Sequence, residues 1–173
     1  MAGENIGFLG CYFNDAGINP MHDEFFEPMG PEAPAILKIA REEGVDLAVS
    51  LHSHSSRPVL LRPAYVTMEK QEDVRKLAVE CYAILNERGL PHGSLFDAKA
   101  EGGSAEGGSP FNLTSAMYHV SGASSLTFEC PHGISSTGAC KVDFEDILDI
   151  QLALYEAMMR HELAKKAGQE KIL

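Results

Sequence analysis

An α/β fold, with a mostly parallel or mixed sheet flanked by helices, follows from three features of the sequence. The run Val45-Asp46-Leu47-Ala48-Val49-Ser50-Leu51-His52 is nearly continuously apolar rather than alternating, which suits a strand covered on both faces. Strand-like runs of this kind interleave with longer stretches of helical periodicity, the order that layered α/β proteins show. A chain of 173 residues, 45% hydrophobic and 23% charged, is long enough for one domain with an ordinary core.

Each element has its own justification. Residues 6–10 are short and apolar and read as a strand; residues 14–34 carry Asp, Gly, Asn and Pro at close intervals and read as a long loop. Pro31, just after Gly30, stands where a first helical residue would be, and Ile36, Leu37, Ala40 and Arg41 lead one amphipathic helix to a stop at Gly44. The apolar run 45–52 is then a buried strand, and residues 59–61 form a further short strand bounded by Pro58 and Pro63. A helix is predicted over residues 69–88, where Val74, Leu77, Ala78, Cys81, Ile84 and Leu85 recur at helical spacing before Gly89. Residues 101–109 (EGGSAEGGS) read as a surface loop of low complexity. A short helix over 112–120, a strand over 125–129 and a long helix over 144–165 complete the chain. Asp143 caps the last helix, and its inward face is expected to be Ile147, Leu148, Leu152, Tyr155, Met159 and Leu163. There is no internal repeat.

The charge balance narrows the function. With 14 Lys and Arg against 25 Asp and Glu the formal net charge is -11, and no basic stripe is visible, so nucleic acid is not an expected partner. The same balance argues against an anionic membrane surface, and no apolar run approaches the ~20 residues a bilayer span needs. The N-terminus lacks a basic region followed by an apolar core, so no signal peptide is read and a complete chain would be expected in the cytoplasm. The four cysteines include no C-x-x-C pair and do not suggest a disulfide framework; Cys81, on the apolar face of the second helix, reads as a small buried hydrophobe.

Chemistry collects at the ends of two strands. The run ending in His52 and the run Ser125-Leu126-Thr127-Phe128-Glu129 each close on a reactive side chain, and open α/β sheets build their sites beyond the carboxyl ends of strands. A carboxylate at the tip of an apolar strand needs a partner or a proton-transfer role; a plain solvated or ion-paired Glu is the bland alternative, of equal weight on the residues alone. His52 and His54 share one face of their strand, but two histidines do not complete a tetrahedral metal site, and a structural histidine is the commoner case. Of the remaining histidines, His132 follows Glu129 closely enough to line a cleft, whereas His161, among charged neighbours, is expected at the surface.

Taken together, these segments resemble the zinc carboxypeptidases. Leu51-His52-Ser53-His54-Ser55, leading to Leu60-Leu61-Arg62-Pro63, is similar to the family's strand that ends in a histidine ligand within a Leu-His-Ser stretch. Leu126-Thr127-Phe128-Glu129 resembles its Thr-Phe-Glu strand, and Tyr118-His119-Val120-Ser121-Gly122 its Tyr-x-x-Ser-Gly segment. Pro31-Glu32 opening a helix, Val45-Asp46-Leu47 and the closing helix follow in the family's order, so the resemblance covers about residues 14–165. It implies a carboxypeptidase-like α/β fold and a zinc-dependent hydrolase of peptides or amides. His52 would be a zinc ligand, Glu129 the general base acting on zinc-bound water, and Tyr118 a substrate contact.

The chain departs from the family in two places. The other two zinc ligands of the family come from an upstream His-x-x-Glu motif, which is not in this sequence, so the resemblance implies the later, truncated part of a catalytic domain. An exposed sheet edge and apolar face would then favour self-association. Where the family has an Asn-Arg pair that clamps a terminal carboxylate, this sequence places Met21-His22, and neutral His does not form the bidentate fork of Arg. His22 is thus a candidate substrate contact, and Arg62 or Arg57 could supply the missing cation. An amidase or deacylase on the same scaffold, and a degenerate relative that only binds peptides, are the competing readings. A serine hydrolase built on Ser53 or Ser55 has less support, because no Gly-x-Ser-x-Gly elbow is present.

Overall fold

The computed structural model describes residues 13–22, 30–96, 111–133 and 140–170. The strand expected at 6–10 and the glycine-rich loop at 101–109 lie outside them. The described chain is an α/β structure: a three-stranded mixed sheet with helices on both faces. In chain order the elements are α1 (Glu32–Glu43), β1 (Leu47–His54), β2 (Val59–Leu61), α2 (Met68–Glu87), α3 (Leu113–Ser121), β3 (Ser124–Pro131) and α4 (Phe144–Glu170), with a single 3-10 turn at Pro20–His22.

Local chemistry explains the boundaries. Gly44 ends α1 in the left-handed conformation, φ 57°. Thr67 opens α2 by accepting from the Lys70 N–H, and at the other end the Leu90 N–H reaches back to the Leu85 carbonyl at 2.9 Å. Asn112 caps α3 by accepting from the Thr114 N–H at 3.0 Å. Asp143 and Asp146 form a reciprocal pair at the start of α4: the Asp143 carboxylate accepts from the Asp146 N–H at 2.9 Å and the Asp146 carboxylate from the Asp143 N–H at 3.2 Å.

β3 is the central strand. It runs parallel to β1 and antiparallel to β2, in the order β1-β3-β2. Alternation along β3 divides its side chains between two different layers. Leu126, Phe128 and Cys130 join the apolar core with Leu60, with Val74, Leu77, Ala78, Cys81 and Leu85 of α2, and with Ile150, Ala153, Leu154 and Ala157 of α4. Ser125, Thr127 and Glu129 point the other way, toward α3, where the Thr127 and Thr114 hydroxyls hydrogen-bond at 2.9 Å. The outer edge of β2 is partly closed: the Leu60 N–H donates to the Tyr82 hydroxyl at 3.1 Å and the Gly93 N–H to the Pro58 carbonyl at 2.8 Å.

Three expectations need correcting: β1 is, among the described strands, an edge strand whose residues are half-buried or exposed rather than a strand covered on both faces, and one contact explains the other two. His161 is buried, not at the surface: its Nε2 lies 2.9 Å from Asp73 Oδ1 on α2, while Lys165 Nζ sits 3.0 Å from Asp73 Oδ2 and the Ser124 hydroxyl also donates to that oxygen. This cluster ties α2, α4 and β3 together and selects the α4 face that turns inward. That face is Ile150, Ala153, Leu154, Ala157 and His161, not the larger side chains; Leu148, Leu152, Tyr155, Met159 and Leu163 point outward, and of the expected set only Ile147 packs against the core. Small residues at 153 and 157 let α4 approach α2 closely, and long side chains at the contact would hold the two helices apart.

Candidate active site

The sheet register brings the two strand tips together. His52 and Glu129 are direct partners on the parallel neighbours β1 and β3, so their side chains leave the same face. His52 Nδ1 lies 4.0 Å from Glu129 Oε1, and both side chains are 17% exposed. The pair sits at the carboxyl ends of both strands, at the mouth of the layer that α3 covers.

A short chain of contacts sets how the imidazole presents itself. Ser50, two residues before His52 on the same face, has its Oγ 3.0 Å from His52 Nε2, and its hydroxyl faces Met21 Sδ at 3.9 Å. Ser50 engages Nε2, which leaves Nδ1 as the ring nitrogen nearest the carboxylate. An imidazole lone pair facing a carboxylate oxygen is favourable only with a proton or a cation between them. Glu129 Oε2 is itself buried and, among the described residues, has no hydrogen-bond partner.

Against known proteins the sequence matches no family model and no curated protein.

The arrangement can therefore serve proton transfer as it stands and metal binding in part. An imidazole nitrogen and a carboxylate are suitable zinc donors, but a zinc site needs at least three protein donors. Among the described residues no three His, Cys, Asp or Glu stand together to hold a metal. The donor set on β1 and β3 fits one side of such a site and does not close it.

The other candidate residues fall in different places. His22 is exposed at the end of the turn whose Met21 reaches Ser50, so it borders the pair without touching it. Tyr118 does not join the pair. α3 runs back along β3 from the Thr114–Thr127 contact, which carries Tyr118 toward the strand's opposite end; its ring packs on His119 with centroids 4.9 Å apart. Arg62 lies just past β2, whose Leu61 pairs with Thr127, and its side chain turns into the other layer, where Nη1 donates to Gln71 Oε1 at 2.6 Å and the residue is buried. Arg57 instead occupies the β1–β2 turn at the site's end of the sheet, held there by its carbonyl 2.8 Å from His54 Nε2. His132 follows β3 at the same end, its N–H donating to the His54 carbonyl at 2.9 Å. Ser50 was not singled out by sequence; a serine two positions before a histidine on a strand is the signal that could have found it, since i and i+2 share a face.

Proposed function

We propose that this chain contributes His52 and Glu129 to a zinc-dependent hydrolase of peptides or amides, on a carboxypeptidase-like scaffold. The observation that carries this reading is the paired register of His52 and Glu129 on adjacent parallel strands, with Nδ1 and Oε1 4.0 Å apart at the strands' carboxyl ends. The likeness of the Leu-His-Ser and Thr-Phe-Glu segments to the zinc carboxypeptidases supports it. In this reading Ser50 fixes the imidazole through Nε2 and leaves Nδ1 as the donor atom. Bound zinc would supply polarisation of the scissile carbonyl and acidification of a water. Glu129 takes a proton from the attacking water and returns it to the leaving nitrogen. The remaining zinc donors would have to come from outside the described residues.

Arg62 faces away from the pair, so in this reading any cation that meets a substrate carboxylate is Arg57, and the substrate class extends to amides that lack a free carboxylate. The test is direct. With zinc supplied, His52→Ala should lose metal, and Glu129→Gln should keep metal while losing hydrolysis of both free and C-terminally amidated acyl-dipeptides. Hydrolysis that survives Glu129→Gln would remove the general base and with it this mechanism. A second reading is favoured by the incomplete donor set: a domain that binds peptides in the same cleft without cleaving them. Peptide binding unaffected by chelators, with no turnover at any zinc concentration, would select it.

A further inference from the structure

At the end of the sheet opposite His52 and Glu129 lies a cavity of about 430 Å³, within the ~300–1,000 Å³ range of small-molecule sites. Its floor is built by the turns that feed the amino ends of β1 and β3: Gly44 and Asp46 on one side, Ser121 and Gly122 on the other. Its wall is the first turns of α2, with Lys165 reaching in from α4. β1 and β3 run parallel, so the stretch of strand from Asp46 to His52 puts about 20 Å between this cavity and the reactive pair.

The cavity is lined by charges of both signs: Lys70, Lys76 and Lys165 against Asp46, Glu69 and Asp73. One pair satisfies itself. Lys165 Nζ lies 3.0 Å from Asp73 Oδ2 and 3.0 Å from Glu162 Oε1, and Asp73 is held further by Ser124 and His161. Lys70, Lys76, Asp46 and Glu69 form no ion pair among the described residues. They also stand on different sides. Asp46 shares the floor with the carboxyl ends of α1 and α3, which close at Gly44 and Gly122. Each helix end adds the negative pole of its dipole, roughly half a charge. Lys70 and Lys76 belong to the wall, about 9 Å apart along α2. Glu69, in the first turn of α2, meets that helix's own positive pole. An inorganic anion would set its charge against the negative floor, and a simple amine would face the lysines. A molecule with an ammonium and a carboxylate a few ångströms apart answers both. We propose that this cavity binds a free α-amino acid as its zwitterion, the ammonium toward Asp46 and the two helix ends and the carboxylate toward Lys70 and Lys76. The site is separate from His52 and Glu129 and does not depend on the hydrolase reading.

Isothermal titration calorimetry of the 173-residue chain with glycine, L-leucine, L-glutamine and L-phenylalanine tests it. At least one should bind with a dissociation constant below about 1 mM. The N-acetyl form of that amino acid, which lacks the ammonium, and its α-amide, which lacks the carboxylate, should each bind at least about 10-fold more weakly, as each loses one charged contact. Lys70→Gln and Asp46→Asn should each weaken binding by about the same factor with unchanged circular dichroism, because Lys70 is only half-buried and Asp46 is exposed. No saturable binding of any of the four amino acids up to about 10 mM would overturn the proposal. An N-acetyl form that binds as well as the parent would make this an anion site, and an α-amide that does so a cation site; either result overturns the zwitterion. Binding that is indifferent to both substitutions would place the amino acid elsewhere on the protein and overturn the assignment to this cavity.

Discussion

Asp73 shows how one side chain can organise several elements. Burial opposes its ionisation, but hydrogen bonds from His161, Ser124 and Lys165, with the Lys165 charge, outweigh it and hold the carboxyl well below its ordinary value of 3.8. A carboxylate with a depressed pKa contributes stability above its unfolded value and loses it as pH falls. The contribution should thus be complete above about pH 5 and fade from roughly pH 4 downward. Asp73→Asn should cost about 3 kcal/mol at pH 7, since it leaves His161 and Lys165 without their anion. Urea melts should show the variant and wild type converging as pH drops toward 2. If the pair holds zinc as proposed, Ser50→Ala should weaken that binding about 10- to 100-fold while Ser50→Thr retains it, because the partner of the distal ring nitrogen sets tautomer and orientation; competition with a chromophoric chelator reads this. The pairing of His52 with Glu129 was legible in the sequence because each ends an apolar run. The His161–Asp73 contact was not, since the partners are 88 positions apart and His161 sits among charges that look solvated.

Among the elements, those with strong local signals were readable to within a few residues. The α2 periodicity places Val74, Leu77, Ala78, Cys81, Ile84 and Leu85 in the core as expected, and the glycine stops at Gly44 and Gly89 and the Asp143 cap lie where the sequence puts them. α4 was misread because it is apolar on two faces. Periodicity identifies stripes but does not choose between them, and the choice was made by close packing at Ala153 and Ala157 and by the Asp73 cluster. The caps give element-scale predictions. Asn112→Ala should cost about 1–2 kcal/mol, because it removes the acceptor for the Thr114 N–H in a buried setting. Gly122→Ala should cost about 1 kcal/mol from backbone strain alone at φ 75°, as an added Cβ would meet nothing within 4 Å. Denaturant midpoints at constant slope check both.

Over the whole molecule, the two sides of the sheet differ in how they are held. The α2–α4 side is apolar, with Phe128 at its centre and fully buried. Phe128→Ala should cost about 3–5 kcal/mol, a large share of the 5–15 kcal/mol typical of a domain, and equilibrium unfolding would report it. The α3 side buries small and hydroxylated residues instead: Thr114, Ser115, Ser125 and Thr127, with Ala33, Ala40 and Ala116, and the hydroxyls of Ser115 and Ser125 have no partner among the described residues. Such a layer adheres weakly. In native-state hydrogen exchange, the amides of α1 and α3 should open at lower free energy than those of α2 and β3. His52 and Glu129 look out on that loosely fastened side. In the proposed hydrolase reading, parting along that polar seam while the greasy half stays shut would open the pair to a bulky guest without competing with keeping the fold.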